Sequence, residues 1–110
     1  MLNYKKIISR LLDQNIYILS NDDKEAIIID PGLGFDLIDA YLKSENLSPI
    51  AVLATHAHID HIASANDCIK NYNIPFYICR GNSIMLDHYD IMKGYMHVDS
   101  EKPEVSHWIE

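Results

Sequence analysis

Three of the chain's six histidines and one aspartate lie within six consecutive positions, at His56, His58, Asp60 and His61. Neutral imidazoles and carboxylates bind zinc, iron or manganese, and a catalytic zinc commonly has three protein ligands and one open position for water. In an extended segment, side chains alternate between two faces, so His56 and His58 point the same way. These two histidines could therefore bind one ion.

Asp60 and His61 follow at the position where the chain is predicted to turn into a helix. Their side chains could then reach a second metal ion. Two metal ions about 3.5–4 Å apart commonly activate a water and bind the leaving oxygen. The alternative is that all four are ordinary loop or core residues, but four donors at this spacing favour metal ligands. We expect one or two zinc ions here, with iron or manganese as alternatives.

The elements that must position this cluster are predicted from the pattern of apolar residues. An apolar run at residues 50–54 leads directly into the cluster and indicates a strand that is covered on both faces. Residues 15–19 and 26–29 are rich in β-branched and aromatic side chains and predict a hairpin. Residues 4–8 and 76–79 predict two further strands.

Three helices are predicted where apolar residues recur at helical spacing. They cover about residues 35–45, 62–72 and 83–93, with Asn82 or Ser83 as the expected N-cap of the third. The stretch that follows the third helix has little periodicity and is predicted to be a loop. Because strands and helices alternate along the chain, the order predicts a layered α/β domain.

The histidine–aspartate string, with Thr55 and the apolar strand before it, resembles the signature of the metallo-β-lactamase superfamily. Asn15, Tyr17 and the turn that begins at Asp30 are similar to the opening of its small hydroxyacylglutathione hydrolase-like members. The resemblance implies one domain over residues 1–110, which corresponds to the N-terminal half of an αβ/βα sandwich. We therefore expect a domain truncated relative to the family.

The resemblance also implies an activity, the metal-dependent hydrolysis of a small thioester or ester such as hydroxyacylglutathione. A metal-bound hydroxide would attack the carbonyl, and Asp60 would orient the water or receive its proton. In the family, the aspartate equivalent to Asp30 lies beneath the metal site, where such partners orient a histidine ligand. The other interpretation is that Asp30 caps its own turn, and both remain open at this point.

The number of donors leaves the activity of this chain open. The cluster offers two donors to each ion, and the family takes its remaining ligands from later segments that are not recognisable here. His88, His97 and His107 have local sequences unlike those segments, so we expect ordinary exposed or half-buried histidines. The alternative function is a non-catalytic truncated remnant that lacks the later ligands, and a less favoured one is an oxygen-using metalloprotein of the same fold.

Composition argues against some classes of partner. The net charge is −7, and no basic cluster exceeds the pair Lys5 and Lys6, which argues against nucleic acid. No apolar run is long enough for a membrane span or a secretory signal, so we expect a cytoplasmic protein. The resemblance implies a small-molecule substrate. Cys68 and Cys79 are expected to be free, buried thiols. Half a sandwich would leave one sheet face uncovered, which predicts a partner, self-association through that face or poor folding.

Overall fold

The computed structural model describes residues 2–96 and 101–109, so His97 lies outside the described residues. Within this part of the chain, six strands form one sheet whose spatial order follows their order in the sequence. The first three strands pair antiparallel, and the third to the sixth pair parallel. The strands are β1 Asn3–Ile8, β2 Asn15–Ser20, β3 Glu25–Ile29, β4 Ser48–Ala54, β5 Phe76–Cys79 and β6 His107–Ile109.

The helices of the described residues follow the parallel strands. One, α1, connects β3 to β4, two connect β4 to β5, and two follow β5 after a short 3-10 turn. None of them is both long and apolar enough to cross a membrane. The helices are α1 Phe35–Ser44, α2 Ile59–Ile62, α3 Ala65–Tyr72, α4 Ser83–Asp87 and α5 Tyr89–Met96, and the 3-10 turn is Arg80–Asn82.

Alternate residues of each strand point to opposite faces of the sheet, and the core lies on one of these faces. Ile28, Val52 and Phe76 are neighbours across three parallel strands, and each is fully buried. Ile38 and Leu42 of α1 belong to the same core. The predicted layered α/β fold is therefore confirmed.

The opposite face of the sheet carries apolar side chains that are only half-buried. Tyr17, Ile29 and Leu53 are paired across β2, β3 and β4 and lie at its centre. Leu19 and Tyr77 extend the same surface to either side. We call these five residues the open face.

The structure corrects three predictions. The predicted helix over residues 83–93 is interrupted at His88, and its second part, α5, continues to Met96. The predicted terminal loop is wrong for residues 107–109, which form β6 beside β5. A strand of three residues is too short for its periodicity to be seen in the sequence. Asn82 does precede α4, but its side chain makes no capping hydrogen bond.

Candidate metal centre

The predicted ligands lie at the edge of the sheet where the parallel strands end. β4 ends at Ala54, and the next residues form a loop that leads into α2. His58 occupies the N-cap position of α2 and still has an extended backbone, with φ −64° and ψ 140°. Ligand sites in α/β proteins commonly lie beyond the carboxyl ends of parallel strands.

Three imidazole rings gather at this edge. The ring centroids of His56 and His61 are 5.1 Å apart, those of His56 and His58 are 5.9 Å apart, and those of His58 and His61 are 6.4 Å apart. Two histidines on one tetrahedral zinc would have centroids roughly 5 Å apart, given Zn–N bonds of about 2 Å. Asp60 lies beside the rings, with its Oδ2 atom 3.6 Å from Nε2 of His61. The structure therefore brings all four predicted ligands together.

The cluster fits a divalent ion in its donor chemistry, and one ring pair, His56 and His61, has the centroid spacing expected for two ligands of one zinc. It does not provide a complete ligand set, since among residues 2–96 and 101–109 no group of three or more His, Cys, Asp or Glu side chains is arranged to hold an ion. Catalytic zinc usually has three protein ligands. Within the described residues, the cluster therefore falls short of a three-donor site.

Asp30 lies beneath the cluster, with only 6% of its surface exposed. Its Oδ1 atom accepts a hydrogen bond from the backbone N–H of Thr55 at 2.7 Å, and its Oδ2 atom accepts one from the Thr55 hydroxyl at 2.6 Å. Nδ1 of His61 is 3.2 Å from Oδ2 of Asp30, although the two do not align as a hydrogen bond. Of the two interpretations of Asp30, these contacts favour a partner of the cluster over a cap of its own turn.

The Thr55 hydroxyl connects Asp30 to His56. Its hydroxyl donates its only proton to the Asp30 carboxylate, and Nδ1 of His56 lies 3.0 Å from the same hydroxyl oxygen. The hydroxyl can then only accept from His56, so this hydrogen-bond network assigns the proton of a neutral His56 to Nδ1. The Nε2 lone pair of His56 is left available for a metal ion.

The turn after β3 holds α2 in place through backbone contacts. Gly32 donates its N–H to the carbonyl of His61 at 2.8 Å and accepts the N–H of Ser64 at 2.5 Å. Gly32 has φ +54°, and a Cβ atom there would lie 2.5 Å from Oε1 of Gln14. Because φ is positive and the Cβ of Ser9 would lie 2.9 Å from the added atom, this turn requires glycine.

One contact was missed by the sequence analysis. The side-chain Oδ1 of Asn82 accepts the backbone N–H of Ala57, the residue between His56 and His58, at 3.3 Å. Its Nδ2 group donates to the carbonyl of Cys79 at 3.3 Å. The available signal was the position of Asn82 in the turn that follows β5, which is the parallel neighbour of β4.

The remaining histidines of the described residues lie away from the cluster. His88 is exposed between α4 and α5, where its Nδ1 is 2.8 Å from the carbonyl oxygen of Ile84. His107 lies on β6 and stacks on Tyr77, with ring centroids 4.8 Å apart. The structure does not bring either side chain to the candidate centre.

The two cysteines differ from each other. Cys68 is buried, and burial raises the pKa of its thiol to about 12. Cys79 is exposed at the end of β5, so the expectation of a buried thiol is wrong there. Both are free thiols, as predicted.

Comparison with known proteins identifies the family. The family model of the metallo-beta-lactamase superfamily matches residues 9–109. The chain belongs to the metallo-β-lactamase superfamily. Members of this superfamily bind divalent metals such as zinc or iron.

Individual relatives agree with this assignment. The chain is 39% identical over 67 residues to the probable metallo-hydrolase YqgX of Bacillus subtilis, covering 61% of this chain and 31% of that protein. It is 43% identical over 65 residues to the hydroxyacylglutathione hydrolase of Buchnera aphidicola subsp. Schizaphis graminum, covering 59% of this chain and 26% of that one. The superfamily resemblance and the relation to hydroxyacylglutathione hydrolases are thus confirmed.

A solved structure extends the similarity to nearly the whole chain. The crystal structure of the B3 metallo-β-lactamase BLEG-1 matches with a TM-score of 0.83 and 33% identity, covering 98% of this chain and 53% of that one. The chain therefore spans about half of this structural neighbour and about a third or less of the curated relatives it matches.

Proposed function

We propose that the chain carries the metal-binding part of a metal-dependent hydrolase that cleaves a small thioester or ester, with hydroxyacylglutathione as the nearest substrate. The observation that carries this proposal is the gathering of the His56, His58 and His61 rings, with centroids 5.1–6.4 Å apart at the carboxyl end of β4. The name of the Buchnera relative supports the substrate class.

The cluster's residues have separate roles in this proposal. A divalent ion, when bound, would lower the pKa of a water toward about 7 and polarise the substrate carbonyl. His56 and His58 would hold one ion, and Asp60 and His61 would contribute to a second. Thr55, which is held by Asp30, orients the His56 imidazole through the hydrogen bonds that fix its tautomer.

Asp60 is the proposed catalytic residue. It is half-buried and lies next to the rings, so its carboxylate could orient the attacking water or accept its proton. General acid–base catalysis by this carboxylate forms no covalent intermediate. Because Asp60 is half-buried and its described contact is with His61, replacing Asp60 should lower turnover without unfolding the chain.

Hydrolysis of a hydroxyacylglutathione thioester tests this function. The purified chain is supplied with zinc, and the released thiol is measured. We expect Asp60→Asn to lower the rate by about 100-fold or more, since general acid–base groups contribute about that much. The matched control is Asp67→Asn, an exposed aspartate of α3, which should keep the parent rate. Equal rates in the parent and both variants would overturn the proposal.

A second candidate is a non-catalytic metal-binding domain. It is favoured by the lack of any three-donor group within the described residues. This candidate predicts weak zinc binding and no thiol release above the uncatalysed rate at any zinc concentration. The same assay therefore separates the two functions.

A further inference from the structure

Asn82 connects the ends of two neighbouring parallel strands. It is the last residue of the 3-10 turn that follows β5, and its half-buried side chain points to the loop that follows β4. One end of the amide accepts the N–H of Ala57, and the other end donates to the carbonyl of Cys79, both at 3.3 Å. The amide therefore spans the gap between the two loops.

The use of this side chain is unusual for its position. An asparagine before a helix commonly accepts a hydrogen bond from the first helical turn. Asn82 precedes α4 but makes no such bond, and its Oδ1 atom is used for Ala57 instead. The first turn of α4 thus lacks a side-chain cap, while the loop of the histidines gains an anchor.

Ala57 is the link between Asn82 and the cluster. Its methyl group is fully buried, and it stands between His56 and His58, whose side chains are exposed. A hydrogen bond to the Ala57 N–H restrains the backbone between His56 and His58, and so the directions in which the two imidazoles project from it. The loop is otherwise held through Thr55 on Asp30, so the Asn82 bond is a second anchor on the far side of His56.

We propose that Asn82 is a positioning residue of the candidate metal centre, which holds the backbone between His56 and His58 so that the two rings can share one ion. The part of this proposal that concerns metal rests on the proposed function. The part that concerns the loop does not. The alternative explanation is that Asn82 only joins the loop after β4 to the end of β5 and has no effect on the imidazoles.

Two variants and one control separate these explanations. Asn82→Ala removes the acceptor, whereas Asn82→Asp keeps an oxygen for the Ala57 N–H. Asn71→Ala is the matched control, because its amide also bonds a backbone carbonyl, that of Asp67 at 2.8 Å on the exposed side of α3. All four proteins are compared first without metal and then in a Co²⁺ titration followed by absorbance.

The metal-free measurements are amide hydrogen exchange at Ala57 and the NMR shifts of the imidazoles. We expect Asn82→Ala to speed exchange at Ala57 about tenfold or more and to move the ring signals of His56 and His58 while leaving those of His88 unchanged. Asn82→Asp should restore both readouts, and Asn71→Ala should resemble the parent. Unchanged exchange and ring signals in Asn82→Ala would overturn the proposal.

The titration tests the consequence for metal. Groups that support metal ligands from behind commonly change affinity by about 10–100-fold, so Asn82→Ala should weaken Co²⁺ binding at least about tenfold and Asn82→Asp should recover it. Equal Co²⁺ affinity of Asn82→Ala and the parent would contradict a positioning role. If the parent itself binds no Co²⁺, the proposed function fails, while the metal-free readouts still decide the role of Asn82.

Discussion

At the scale of single residues, Asp30 links the turn after β3 to the candidate metal centre. A buried carboxylate is costly unless its oxygens accept hydrogen bonds, and each oxygen of Asp30 has a donor from Thr55. Its backbone is in the left-handed region, with φ 52°, which aspartate tolerates better than most residues. This conformation is part of the sharp turn that sets Asp30 below His61.

Replacing Asp30 tests this link. Asp30→Ala removes the carboxylate that accepts two hydrogen bonds from Thr55, one of them from its backbone N–H, and a hydrogen bond to a charged group contributes about 1.5–3 kcal/mol. We expect the free energy of unfolding in urea to fall by that amount. Asp30→Asn keeps one oxygen for this N–H and should lose less. An unchanged urea midpoint in Asp30→Ala would show that Thr55 is held by other contacts.

The sequence predicts the cluster at this scale but not its supports. His56, His58, Asp60 and His61 come from one short stretch, so their types and spacing are enough to suggest a common site. Asp30 and Asn82 each lie 25 residues from the backbone group they bind. Such contacts depend on which strands are neighbours in the sheet, which the local pattern does not reveal.

At the scale of elements, α1 and α3 are joined by a polar contact at the edge of the core. The Tyr72 hydroxyl donates to Oδ1 of Asp39 at 2.7 Å, while the Tyr72 ring packs on Phe35 with centroids 5.6 Å apart. Lys43 lies 2.7 Å from the other Asp39 oxygen. Lys43 first and Tyr72 second lower the pKa of Asp39.

Tyr72→Phe should weaken this contact in a pH-dependent way. A carboxylate whose pKa is lower in the folded chain stabilises the fold above its unfolded pKa, and that stability is lost as the pH falls through the folded value. We expect a loss of about 1 kcal/mol in the free energy of unfolding at pH 7. The loss should begin to shrink as the pH falls below the ordinary pKa of an aspartate, and it should disappear as the pH falls through the lowered pKa of Asp39 in the folded chain.

Urea unfolding at several pH values measures this effect. Tyr41→Phe is the matched control, since no hydrogen bond of the Tyr41 hydroxyl is found among the described residues. Tyr41 lies on the same helix as Asp39 and is also half-buried. A loss for Tyr72→Phe that is constant with pH would contradict a role for the Asp39 charge.

Most elements are predictable from the sequence because their apolar periods are long enough to read. The predicted strands 50–54 and 76–79 correspond to β4 and β5 within two residues at each end. β6 could not be read, since it has three residues and is defined by its pairing with β5. The break at His88 likewise has no glycine or proline to mark it.

At the scale of the whole molecule, the sheet is covered by helices on one face only within the described residues. The open face carries half-buried Tyr17, Ile29 and Leu53 at its centre, and contiguous apolar surface commonly marks an interface. The structural neighbour BLEG-1 has nearly half of its chain outside the matched region. That a second copy covers the open face of this chain stays a prediction.

Sedimentation of the chain over a range of concentrations tests that prediction. We expect the mean mass to rise with concentration and Ile29→Lys, which places a charge at the centre of the open face, to lower it to that of a monomer. Ile84→Lys is the control, because Ile84 is 72% exposed on α4 and lies outside this face. A concentration-independent monomer in the parent chain would rule out self-association through the open face.

The central claim is that His56, His58, Asp60 and His61 form a metal centre, and metal content tests it most directly. The purified chain is loaded with zinc, dialysed and measured by elemental analysis beside His58→Ala and the exposed control His88→Ala. We expect the parent and His88→Ala to retain more zinc than His58→Ala, which removes one of the two donors to the first ion. A metal-free parent, or equal zinc in parent and His58→Ala, would contradict the claim.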